Sequence, residues 1–213
     1  MLKCPLCGCQ GRALAAVEHY FACSNCALHF VDPKAHLAPL AEKARYDRHR
    51  NNPGDAGYTD FLRPLVGIMQ QRVPAGACGL DFGSGPYPAL AEMLRHEGFT
   101  MDLYDPFYWP ENPRQTYDFI VSSEVVEHFR TPDREFRRLY DLLKPGGWLG
   151  IMTLLLEPTE DFASWHYRRD PTHVVFYTRS TFQWISEHHG MVHLTYSGER
   201  IVLLQRPLCG KPI

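Results

Sequence analysis

Leu80-Asp81-Phe82-Gly83-Ser84-Gly85-Pro86-Tyr87 is the stretch that decides the fold. The apolar run at 77–82 reads as a buried strand that ends in a glycine turn. A helix follows, with Leu90, Met93 and Leu94 on one face and Gly98 as its stop. A second strand at 99–104 ends on Asp105-Pro106, and a third covers 117–121. Thr131-Pro132 opens another helix, whose buried stripe is Phe136, Leu139, Tyr140 and Leu143. Lys144-Pro145-Gly146-Gly147 then turns the chain into a long strand over 148–155. Strands alternating with helices across short connections predict an α/β fold, a doubly wound and mostly parallel sheet. The end differs. After a helix near 180–189, residues 191–196 and 200–204 flank Ser197-Gly198 and read as an antiparallel hairpin closing the sheet.

In such a sheet, ligands bind beyond the carboxyl ends of the strands, where the strand order reverses. Gly83 and Gly85 let a ligand approach the backbone there. Asp105, 24 residues after Asp81, stands where an acid accepts hydrogen bonds from ribose hydroxyls. Strand, glycine turn, helix, strand and terminal acid in that order predict a nucleoside-type cofactor. Dinucleotide folds carry a third glycine for close packing under a pyrophosphate, and no glycine stands at that place here.

These motifs, together with Tyr104-Asp105-Pro106, Tyr117-Asp118-Phe119-Ile120, Glu124-Val125-Val126-Glu127-His128 and Leu143-Lys144-Pro145-Gly146-Gly147, resemble the ordered motifs of class I S-adenosylmethionine-dependent methyltransferases. The closing hairpin is similar to the reversed last strand of that Rossmann-like methyltransferase fold, and the resemblance covers residues 75–206. It implies S-adenosylmethionine as cofactor. By it, Gly83, Ser84 and Gly85 pass under the amino-acid part of the cofactor, Asp81 supports it and Asp105 holds the ribose. Pro106, Phe107 or Tyr108 packs against the adenine, and Ser123 and Glu124 lie beside the cofactor, facing the substrate cleft. One departure is that only eleven residues separate Asp105 from Tyr117, where the family fits another helix and an edge strand carrying an adenine-binding acid. The missing third glycine is the other.

Methyl transfer from a sulfonium leaves a neutral thioether, so catalysis is mainly in-line positioning and exclusion of water. An oxygen or carbon nucleophile also needs a proton removed, work for a histidine or carboxylate titrating near neutral pH. Candidates are His128, and His166 and His173 in the loop Trp165-His166-Tyr167-Arg168-Arg169-Asp170-Pro171-Thr172-His173. Arg168 or Arg169 would clamp an anionic acceptor, and Tyr46 with His49 would form a lid.

Seven cysteines are the anomaly of an otherwise average composition, and five lie in the first 26 residues. Cys4-x2-Cys7, fifteen residues, then Cys23-x2-Cys26 is a zinc-ribbon spacing, with Cys9 left as a spare. Four thiolates close the coordination shell, so the expected zinc is structural. The ribbon is also similar to those preceding some small-molecule methyltransferases. The expected organisation is a ribbon over 1–35, a helical linker or lid over 36–73 and a cofactor-binding domain over 74–213.

The 213 residues carry 22 Lys+Arg against 24 Asp+Glu, a formal charge of −2. Residues 1–40 hold three cations (Lys3, Arg12, Lys34) against two anions (Glu18, Asp32). Neutralising several phosphates needs more than that, so the expected partner is a small-molecule methyl acceptor rather than nucleic acid. An RNA methyltransferase gripping RNA through the ribbon is the alternative, followed by a nicotinamide oxidoreductase or a non-catalytic binding module. The apolar run at 148–156 is too short to span a bilayer, and the first residues form no secretory signal, which predicts a cytoplasmic protein.

Overall fold

The structure is a computed structural model that describes residues 2–47, 55–113 and 115–208. Strands β1 (Gly11–Ala13), β2 (Tyr20–Cys23) and β3 (His29–Val31) form an antiparallel ribbon. Each cysteine pair sits on a turn whose next residue is left-handed, Gly8 at φ 71° and Ala27 at φ 57°. The amides of these two residues donate to the carbonyls of Cys4 and Cys23 at 3.0 Å each. Helix α1 (Pro39–Tyr46) follows. Helix α2 (Ala56–Arg72) lies within the expected helical segment and starts where Asp55 Oδ1 accepts from the Gly57 amide at 2.9 Å and caps it.

The main sheet is built from β4 (Cys78–Phe82), β5 (Thr100–Tyr104), β6 (Tyr117–Ser123), β7 (Leu143–Met152), β9 (Val192–Ser197) and β10 (Ile201–Gln205). Between them run α3 (Ala89–His96), α4 (Pro132–Leu142) and α5 (Arg179–His188), and a two-residue strand β8 (Val175–Phe176) precedes α5. The order is β5-β4-β6-β7-β10-β9, parallel through β7 and antiparallel for the last two. The doubly wound sheet and the closing hairpin are therefore as expected.

Strand alternation divides the core between the two faces of the sheet. Phe119, Val121 and Met152 pack with Leu62, Leu65 and Met69 of α2 and Leu90 and Leu94 of α3. Leu80, Ile120, Leu149 and Ile151 pack with Phe136 and Leu139 of α4 and Phe182 and Ile185 of α5. Each such fully buried side chain contributes ~1.5–3 kcal/mol of transfer free energy. Among the described residues no helix is long and apolar enough to cross a membrane.

Two features depart from the sequence reading. Lys144-Pro145-Gly146-Gly147 lies inside β7 rather than before it. The Gly146 amide donates to the Arg206 carbonyl and the Arg206 amide to Gly147, both at 2.9 Å, so the extension of β10 holds this stretch in the sheet. The second is β8, which pairs with β3 through His29↔Phe176 and Phe30↔Val175 and makes the ribbon a four-stranded sheet. Cys4, Cys26, Leu28 and Phe30 share one buried cluster with α4 and α5, so the ribbon is docked onto the main core.

Phe176 is the pivot of that docking, packing its ring against Tyr20, Phe162 and Trp165 at 5.3–6.1 Å. Phe176→Ala should cost ~3–5 kcal/mol in urea unfolding. A loss below ~1 kcal/mol, the range of surface substitutions, would contradict this packing.

Candidate active site

The carboxyl ends of β4 and β6 diverge into a cleft of about 760 Å³. Gly83 and Gly85 form its floor after β4, at φ 86° and 63°. A Cβ on Gly83 would lie 2.4 Å from the Val125 side chain, whereas one on Gly85 would meet nothing within 4 Å. Gly83 is thus required by packing, and the space above Gly85 is open to a ligand. The loop is strapped to the end of β5: the Gly83 and Ser84 amides donate to the Tyr104 carbonyl at 2.7 and 3.2 Å. The Trp109 indole also donates to the Gly85 carbonyl at 2.9 Å.

Asp105 joins the two loops. Its Oδ2 accepts from the Gly85 amide at 3.0 Å, and its Oδ1 from Phe107 and Tyr108 at 2.8 and 3.1 Å. A carboxylate offers about four lone-pair directions, so this buried anion keeps one acceptor position for a ligand. Ser84 Oγ is buried in the cleft wall with no hydrogen-bond partner among the described residues. Pro106, Phe107 and Tyr108 line the cleft. Asp81 does not. It is buried beneath the loop, where the Ala91 amide donates to it; burial pushes its pKa up to about 7. It serves α3, whose N-cap Pro88 has no side-chain cap of its own.

Helix α1 lies across the mouth, contributing Glu42 and Tyr46 to the lining. Three contacts to three separate segments hold it. Arg130 Nη2 donates to Glu42 Oε2 at 2.5 Å, Arg45 Nη2 to Asp170 Oδ2 at 2.7 Å, and Tyr108 Oη to Asp47 Oδ1 at 2.6 Å. The Tyr46 ring stands edge-on to His128 at 5.3 Å. His49 lies outside the described residues.

The far end of the cleft is polar. Ser123 and Glu124 follow β6, with Glu124 in a left-handed conformation at φ 52°. Glu124 Oε1 accepts from Arg200 Nη1 at 3.3 Å and Oε2 from Tyr167 Oη at 3.1 Å. Tyr167 Oη is also in hydrogen-bond contact with Glu127 Oε1, and Thr153 Oγ1 donates to Glu127 Oε2 at 3.0 Å. Burial pushes Glu124 and Glu127 up to about 7 each. His128 and His173 stand 4.9 Å apart, ring centre to ring centre. Their Nδ1 atoms lie 2.9 and 2.7 Å from the carbonyls of Thr172 and Tyr167. A carbonyl only accepts, so each Nδ1 carries a proton and each neutral ring keeps an Nε2 lone pair. Burial drives both imidazole pKa values down, His173 to about 4.

The structure does not bring His166 to this end. It is exposed on the short turn His166–Arg169, outside the cleft lining. Arg168 and Arg169 donate to the carbonyls of Ala163 and Ser164 and brace their own loop. Tyr167 and Arg200 are the participants that sequence reasoning missed. Tyr167 sat inside the flagged loop with nothing to single it out, and Arg200 sat in what read as an ordinary hairpin turn.

Two groups have metal-ligating composition. One atom each from Glu127, His128 and His173 lie within 4.8 Å of one another, but both Glu127 oxygens and both Nδ1 atoms already have partners. The sulfurs of Cys4, Cys7, Cys23 and Cys26 also lie within 4.8 Å of one another, with Cys4–Cys26 at 3.5 Å and Cys7–Cys23 at 3.3 Å. Four thiolates at ~2.3 Å from one ion stand ~3.8 Å apart, so this set fits tetrahedral zinc. Cys9 is exposed, Cys78 is half-buried, and Cys209 lies outside the described residues.

Residues 46–195 match the family described as a methyltransferase domain. No protein of curated function matches the sequence. Among solved structures, the Burkholderia thailandensis 1,6-didemethyltoxoflavin-N1-methyltransferase, bound to 1,6-didemethyltoxoflavin and S-adenosylhomocysteine, is similar at TM-score 0.56 and 14% identity. That match covers 87% of this chain and 98% of the other. Human N-acetylserotonin methyltransferase in complex with SAM is similar at TM-score 0.51 and 14% identity, over 70% of this chain and 55% of that one. This chain therefore spans little more than half the length of the human enzyme. An O-methyltransferase family protein of Burkholderia thailandensis gives TM-score 0.51 and 16% identity, over 80% and 64%. At these identities the likeness is one of fold.

The buried acids have a measurable consequence. Asp81 holds its proton to about pH 7 in the folded chain and only to ~3.9 in the unfolded one. Its contribution to stability is therefore lost as pH rises from ~4 to ~7. Buried histidines such as His128 and His173 slope the other way, so the comparison is with Asp81→Asn. The urea midpoint of this variant should gain on the wild type as pH rises through that window; parallel curves would contradict the assignment.

Proposed function

Given that the chain belongs to the methyltransferase domain family, we propose that it is an S-adenosylmethionine-dependent enzyme that methylates an oxygen or carbon of a small-molecule acceptor. The observation that carries this reading is the pair of neutral imidazoles, His128 and His173, facing the same end of the cleft as Glu124. A neutral Nε2 accepts a hydrogen bond from an O–H group and so orients it for in-line attack. Glu124, titrating near neutrality at the cleft wall, is the better final holder of the proton than His173, whose basicity burial has cut.

The remaining roles follow from the same placement. S-adenosylmethionine supplies the activated methyl when bound. Gly83, Ser84 and Gly85 would run under its amino-acid part, Ser84 Oγ finding there the partner it lacks. Asp105 would take one ribose hydroxyl with its remaining acceptor position, and Pro106 and Phe107 would flank the adenine. Ser123 would lie beside the sulfonium. Closure by α1 excludes water, which matters because the reaction is governed by positioning. A small acceptor accords with the charge of −2 and with solved relatives named for acceptors such as 1,6-didemethyltoxoflavin. In this reading residues 1–35 are a ribbon, 36–73 a lid and 74–213 the catalytic domain.

With methyl-labelled S-adenosylmethionine and a panel of small alcohols, phenols and carbon acids, label should pass into an ether or a C-methyl product. His173→Ala should slow that turnover at least ~10-fold while leaving S-adenosylhomocysteine affinity within about twofold, since no cofactor contact is lost. Label found only on nitrogen or on RNA would overturn the reading.

The ribbon belongs to the same proposal, with Cys4, Cys7, Cys23 and Cys26 holding one structural zinc. The purified protein should contain one equivalent of zinc, lost in Cys26→Ser, and chelation should lower its melting temperature. A folded, metal-free wild type would contradict it.

A further inference from the structure

We infer that Glu124, Tyr167 and Glu127 form one proton-sharing unit, in which Glu127 rests as a neutral carboxylic acid, Tyr167 is the positioning residue between the carboxyls, and Glu124 is the ionised face toward the cleft. The unit stands on geometry; only its use in removing the acceptor's proton rests on the methyltransferase reading.

Hydrogens decide the matter. Tyr167 Oη touches two carboxyl oxygens, Glu124 Oε2 at 3.1 Å and Glu127 Oε1 at a shorter distance. Thr153 Oγ1 touches Glu127 Oε2 at 3.0 Å and Tyr167 Oη at 3.3 Å. Glu127 and Thr153 have no exposed surface. If both carboxyls were ionised, Thr153 would give its hydrogen to Glu127 Oε2, leaving Tyr167 one hydrogen for two anionic oxygens. One contact would then set lone pairs against lone pairs where no water separates them, a costly arrangement in a buried site. One added proton gives each of the three contacts to a carboxyl oxygen its own hydrogen. On Glu127 Oε1 it donates to Tyr167, which donates to Glu124; on Glu124 Oε2 it reverses both donations.

The surroundings choose between these states. Arg200, from the turn between β9 and β10, faces Glu124 and favours its ionised form. Glu127 has no cation within hydrogen-bond reach among the described residues, and its full burial favours the neutral form. The other titratable neighbours bring no charge: His128 and His173, the latter packed on the Tyr167 ring at 4.3 Å, are neutral, and Tyr46, Tyr58 and Tyr177 are pushed further from ionisation. Tyr167 thus holds Glu124 as an oriented carboxylate. During transfer the bond from the acceptor to the methyl carbon forms as the carbon–sulfur bond breaks, and that electron pair stays on sulfur. The acceptor's proton passes to Glu124 and leaves to solvent when the cleft opens.

Infrared spectroscopy of the purified protein, titrated with pH in the presence of S-adenosylhomocysteine, tests the unit directly. At neutral pH a carboxylic-acid carbonyl band should be present that Glu127→Gln removes and Glu124→Gln leaves. Buried Asp81 contributes a band of its own, identified with Asp81→Asn. Tyr167→Phe should move the Glu127 band and raise the Glu124 titration by roughly one to two pH units, the size of a lost hydrogen bond to a charged group. A neutral-pH spectrum unchanged by Glu127→Gln, or a Tyr167→Phe titration matching the wild type, would overturn the unit. Should Glu127→Gln fail to fold, the Tyr167→Phe titration decides alone. Calorimetric S-adenosylhomocysteine binding separates the two levels: a wild type that does not bind it contradicts the methyltransferase reading, while the bands still decide the proton assignment.

Discussion

A carboxyl group without contact to water, that of Glu127, is the constraint on which the polar end of the cleft depends. An unpartnered buried acid costs several kcal/mol, so each segment around it must supply a partner. The end of β7 gives the Thr153 hydroxyl and the 157–176 loop gives the Tyr167 phenol. The backbone follows suit, since the Val174 amide donates to the Glu127 carbonyl at 2.9 Å and Val31 of the ribbon donates to Val174 at the same distance. The carbonyl of Tyr167 then orients His173. Through its side chain and its carbonyl, one buried residue thereby ties down the loop that carries His173 and the segment on which the ribbon docks.

The cofactor side is organised by an anion as well, but differently. Asp105 accepts three backbone amides, so its charge is met by the turn it stabilises rather than by a cation. Helix α1 is held more weakly. Its Arg45–Asp170 and Arg130–Glu42 pairs to neighbouring segments are partly exposed, and exposed pairs are worth ~0–1 kcal/mol each.

Much of this was legible because it is local. Period-2 and period-3.6 patterns marked the sheet and helices, Gly83-Ser84-Gly85 and Asp105 marked the cleft, and the spacing of Cys4, Cys7, Cys23 and Cys26 predicted the cluster that their sulfurs form. What stayed hidden depends on partners far along the chain. Nothing near Val175 announces that it pairs with Phe30, and nothing near Arg200 places it beside Glu124, 76 residues away. Asp81 was read as a cofactor support from its position at a strand end, yet it is buried beneath the glycine loop, where the start of α3 donates to it. The Pro-Gly-Gly stretch looked like a turn because its neighbour in the sheet, Arg206, is sixty residues downstream.

The most direct test of the central claim is a crystal structure of the protein with S-adenosylhomocysteine bound. The ribose should contact Asp105, and the sulfur should face the chamber formed by Glu124, His128 and His173. A ligand seated elsewhere, or one whose sulfur turns away from that chamber, would contradict it.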